Sequence, residues 1–132
     1  MKKTTFVFGL VLALLVPALS GHSEPPKKAE SLMQKKLVHA QKVLEGLALN
    51  DYDKIGNNGE ELLAISKANE WKAVKSPRYA TYSDEFQQNV NKLLKSAKDK
   101  NLDNATQAYQ EMTATCVKCH KHVREVRMVR DE

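Results

Sequence analysis

Near the C-terminal end of the chain two cysteines and a histidine stand together as Cys116-Val117-Lys118-Cys119-His120. Two thiols three residues apart, followed at once by an imidazole, have three chemistries open to them. A thiol–disulfide redox pair uses the same spacing, but after a strand and at the opening of a helix. A zinc site needs a fourth ligand and usually a second pair. The third chemistry is capture of a haem. Each thiol adds across one vinyl group on the porphyrin edge, and the adjoining histidine places an imidazole nitrogen on the iron.

The surrounding residues favour the third. The motif lies deep in a helical segment, and no strand alternation longer than a few residues occurs anywhere. Of the spare histidines His22, His39 and His122, the first sits in a polar lead-in. The last points away from the Cys119 side. One covalently attached haem c is therefore the expected cofactor.

The elements that must position these groups are helices. The first is expected over about 29–49, with a seam of Met33, Leu37, Ala40, Leu44 and Leu47 at spacings that suit helix packing. Asn50-Asp51 ends it and can cap the next. The second runs over about 51–72, with Ile55, Leu62, Leu63 and Ile65 on its apolar side. Gly56 and Gly59 weaken it locally, through simple tolerance or to admit a close neighbour. Lys75 to Arg78 reads as a loop, because proline cannot continue a helix. Thr81-x-x-Asp84 then resembles a capping box opening a third helix that runs to about residue 100. Its stripe is Phe86, Val90, Leu93 and Ala97. The fourth, about 103–128, carries Ala105, Tyr109, Met112, Cys116, Cys119, Val123 and Val126 along one seam. Four amphipathic helices on short connections make an all-α, antiparallel four-helix bundle, with the haem on its C-terminal helix.

In that topology the first helix runs antiparallel to the fourth, so the residues facing His120 fall around 33–37. Met33 there can give its thioether to the iron, making a six-coordinate centre suited to electron transfer, or simply pack as a flexible apolar residue. If it does not bind, Leu37 helps form an apolar distal pocket over an open position. His39 lies off the seam and is expected exposed.

With these residues in place, the chain resembles the class II c-type cytochromes, the cytochrome c′ group with its low-spin relatives, over roughly residues 32–127. The resemblance rests on an attachment motif in the last helix of a bundle. It implies that Arg124, four residues after His120, lies near the propionates, and that Trp71 is the aromatic that recurs near the haem. Low-spin members take a methionine from their first helix, and Met33 is the one methionine there. Members with an open position bind nitric oxide or carbon monoxide. Bundles of this group often pair through their first helices, so a homodimer is open to the chain.

Residues 1–20 read as a secretory signal peptide. Met1-Lys2-Lys3 is positive, Phe6 to Leu19 is almost wholly apolar, and Ala18-Leu19-Ser20 offers a cleavage site. The apolar run is short of the roughly 20 residues a span needs, so no stable membrane insertion is expected after cleavage. A polar lead-in over 21–28 precedes the bundle domain, 29–132. Loss of Lys2 and Lys3 takes Lys+Arg from 21 to 19 against 16 acids, and the net charge from +5 to +3. With no aromatic-interleaved basic patch, that mild balance does not suggest nucleic acid. Lys118, Lys121, Arg124, Arg127 and Arg130 crowd the haem end, where they can steer an acidic redox partner or simply favour the helix dipole. The function expected is periplasmic electron transfer, not catalysis. The alternatives are a five-coordinate gas-binding haem protein and a thiol–disulfide oxidoreductase without haem.

Overall fold

A computed structural model describes residues 31–68 and 75–130. They form four helices, α1 (Leu32–Leu49), α2 (Tyr52–Lys67), α3 (Pro77–Lys98) and α4 (Leu102–Arg130), and no strand occurs among the described residues. The signal peptide, the lead-in and Trp71 lie outside them. Among the described residues no helix is long and apolar enough to cross a membrane.

Local chemistry sets the helix ends. Ser31 opens α1 with a full capping box. Its Oγ accepts from the Gln34 N–H at 3.2 Å, and its own N–H donates to Gln34 Oε1 at 2.9 Å. Asn50 closes α1 in the left-handed region (φ 55°), a conformation asparagine tolerates better than most residues. Asp51 then caps α2, its Oδ1 accepting from the Lys54 N–H at 2.9 Å. Asn101 caps α4 in the same way through the Asn104 N–H. At α3 the sequence expectation is corrected. Pro77 does not prolong a loop but occupies the first turn of the helix, with Ser76 as its cap. Proline lacks only an N–H that the first turn leaves unbonded in any case. Thr81 lies inside that helix and donates to the Pro77 carbonyl.

Side-chain pairs fix the directions. Asn89 donates to Thr115 and Lys92 pairs with Glu111, so α3 and α4 run antiparallel. Met33 at the start of α1 meets His120 near the end of α4, so that pair is antiparallel too. Each helix packs against its sequence neighbour, whereas α1 and α4 meet only lightly.

The apolar core fills one half of the bundle. Val43, Leu47, Ile55, Leu62, Phe86, Val90, Leu93, Ala97, Ala105, Ala108 and Met112 are buried. Most of them sit towards the end where the α1–α2 and α3–α4 turns lie. Gly59 faces α3 so closely that a Cβ there would stand 2.8 Å from Leu94 Cδ2, while one on Gly56 would meet nothing within 4 Å. Close approach explains the first glycine and tolerance the second. Towards the other end the buried positions turn polar, with Lys36, Ser66, Asn89 and Thr115. All buried side-chain polar atoms among the described residues have partners. The thiol–imidazole motif belongs to this second half.

Candidate functional site

The α4 seam runs as its spacing indicates. Ala105 and Met112 are buried, and Tyr109, Cys116, Cys119, Val123 and Val126 are half-buried. Both thiols therefore look inward, and they are not bonded to each other. His120 stands next to them, its Nε2 3.2 Å from Met33 Sδ on α1. These two atoms come from residues 87 apart in sequence, and both belong to side chains that ligate haem iron.

The seam of α1 is displaced from the one the leucines suggest. Its inward line is Lys36, Ala40, Val43 and Leu47, with Lys36 buried at 6% exposure, and Met33 continues that line at the exposed start of the helix. Leu37 and Leu44 are 58% and 53% exposed. At about 100° per residue they lie on the flank of α1 that turns towards α4. Val117, 64% exposed, lies on the corresponding flank of α4. The two helices pack only lightly against each other, and these exposed apolar side chains flank the line on which the thiols and the Met33–His120 pair lie. Leu37 is on that exposed flank and not in the bundle interior.

The buried lysine of α1 is the part the sequence did not reveal. Lys36 reaches inward until its Nζ lies 3.3 Å from the centre of the Phe86 ring on α3. Its stem is covered and its charge rests on an aromatic face, an arrangement that makes a buried lysine tolerable. Burial pushes its pKa down to about 8, while the two nearby thiols pull the other way. A 3–4 seam broken by a single lysine is the signal that could have found it.

Burial pushes both thiols above the usual cysteine range, and the Lys36 ammonium offsets this only in part. A redox-active Cys-x-x-Cys needs the opposite, a lowered pKa and a ready thiolate. Tyr79 stands near Cys119 and Tyr109 near Cys116, both with hydroxyl pKa values raised chiefly by burial. Among the described residues no group of three or more His, Cys, Asp or Glu side chains could hold a metal ion.

The other histidines serve the bundle. His39 is half-buried, not exposed, and its Nδ1 lies 3.0 Å from Asn58 Oδ1. Asn58 already donates its amide to the Lys54 carbonyl, so its oxygen accepts and His39 donates. His122 Nε2 lies 2.8 Å from Ser76 Oγ, tying α4 to the cap of α3, and its ring meets Tyr82 edge-on. Arg124 is exposed.

The donor set fits a covalently held haem. Two inward thiols, an imidazole beside them and a thioether within reach of it are the groups such a cofactor uses. Residues 66–124 match the family model described as Cytochrome C'. That stretch spans the end of α2, all of α3 and α4 through Arg124, so Met33 and Lys36 lie outside it. Searches of curated proteins and of solved structures found no significant match.

Proposed function

We propose that the chain, which matches the cytochrome c′ family model over residues 66–124, is a class II c-type cytochrome acting as an exported one-electron carrier whose iron is held by His120 and Met33. The family binds one haem c covalently per chain, and that group supplies the one-electron chemistry. The residues of the chain bind it and set its surroundings. Cys116 and Cys119 each contribute one thioether, fixing the ring edge to α4. His120, the next residue, gives an imidazole nitrogen from the same helix. Met33 gives the sulfur from α1, and Leu37 and Val117 help to cover the ring.

The observation that carries this reading is the 3.2 Å approach of Met33 Sδ to His120 Nε2. Two side chains able to ligate iron meet across an otherwise loosely packed helix pair, and a separation widened by about 1 Å would let both hold the metal. Methionine–histidine ligation raises the reduction potential and suits electron transfer. The positive start and apolar stretch of residues 1–20 support export to the periplasm, in keeping with the family. Lys118, Lys121 and Arg124 are exposed beside the motif, which suits an acidic redox partner, an attraction that salt screens.

Carbon monoxide tests the assignment. The reduced, haem-loaded protein is expected to show sharp low-spin α and β bands that carbon monoxide leaves unchanged. A broad high-spin spectrum that shifts on addition of the gas would instead identify a gas binder with an open iron position.

A further inference from the structure

Lys36 is the one buried cation on the inner faces of the described helices, and neither of the proposed iron ligands accounts for it. It sits one turn from Met33 on α1, above Phe86 of α3 and close enough to Cys116 and Cys119 of α4 for its charge to act on both thiols. A group joined to those two sulfurs therefore lies within the field of this ammonium. The packing that surrounds the amine also removes the water that would otherwise screen it, so its field there is stronger than that of the exposed lysines.

We propose that Lys36 is a potential-setting residue, holding a positive charge against the buried edge of the haem so that the reduced state is favoured. The inference rests on haem being attached at Cys116 and Cys119 on the side of α4 that faces α1, but not on Met33 being a ligand. The electrostatics fix the sign. One-electron reduction lowers the charge at the site by one, and a fixed neighbouring cation favours whichever state is less positive. The carrier is thereby poised to accept electrons from donors of higher potential than the axial ligands alone would allow.

The test is the midpoint potential of haem-loaded Lys36→Met in mildly acidic buffer, where the amine of the parent is charged. Lys36→Gln serves as a second neutral variant should the methionine perturb packing, and Lys36→Arg keeps the charge. Both neutral variants are expected to retain the absorption bands of the parent. Their one-electron equilibrium against a reference couple should shift at least tenfold towards the oxidised form, a fall of about 59 mV. Lys36→Arg should stay near the parent. Coloured neutral variants with an unchanged midpoint would overturn the proposal. A colourless parent protein would instead contradict the haem reading itself, so the two failures are told apart by colour.

Discussion

Replacing Met33 with leucine is expected to convert a carbon-monoxide-inert protein into one that binds the gas. Leucine has close to the same volume as methionine and no lone pair, so the packing at the start of α1 is preserved while the ligand is lost. Met33 is 37% exposed and takes no part in the apolar core, so the fold should survive. With its sulfur gone, one face of the iron is left to the imidazole side alone. The reduced spectrum should broaden to a high-spin form and shift with carbon monoxide. The reduction potential should fall at least tenfold in equilibrium terms, about 59 mV, because thioether ligation favours the reduced state. An unchanged low-spin spectrum in Met33→Leu would remove Met33 from the coordination sphere.

The second large effect concerns attachment. In the parent, haem is expected to stay with the polypeptide through denaturation, because on the proposed attachment Cys116 and Cys119 would each hold it by a carbon–sulfur bond. Changing both to alanine should abolish haem staining of the denatured chain entirely, while each single change leaves one bond and a weaker but visible band. The burial that keeps both thiols protonated gives the pair little value as a thiolate redox couple, so no other role of the motif would mask this loss. Undiminished staining in the double variant would place the attachment elsewhere.

Much of this molecule is written in residue spacing. The α4 pattern put both cysteines on an inward seam, and Phe86, Val90, Leu93 and Ala97 are all buried as their spacing on α3 requires. The Asn50-Asp51 break is visible for an equally local reason, the capping capacity of short polar side chains. Lys36 was harder to read. Seam assignment rewards apolar residues, so Leu37 and Leu44 were expected where Lys36 and Val43 are buried, while Met33, Ala40 and Leu47 stay on the line. The actual seam uses the stem of a lysine as its apolar surface and an aromatic ring as the seat of the charge. The leucines are exposed because α1 and α4 pack only lightly along that flank. Pro77 misled in a different way. Its missing N–H is a defect inside a helix and no defect in the first turn, and only the position of the cap at Ser76 distinguishes the two. Contacts such as Met33 with His120, 87 residues apart, follow from topology. They were legible only once antiparallel order had been inferred from the short connections.

The pairing of Met33 and His120 at the iron is open to X-ray absorption at the iron edge. On the proposed ligation the cysteine sulfurs would sit on the ring periphery as thioethers, and Met33 would be the one sulfur donor at the iron. The reduced, matured protein should show a sulfur scatterer in the first shell alongside nitrogens, and that component should vanish in Met33→Leu. A first shell of nitrogen or oxygen alone in the parent protein would contradict the account.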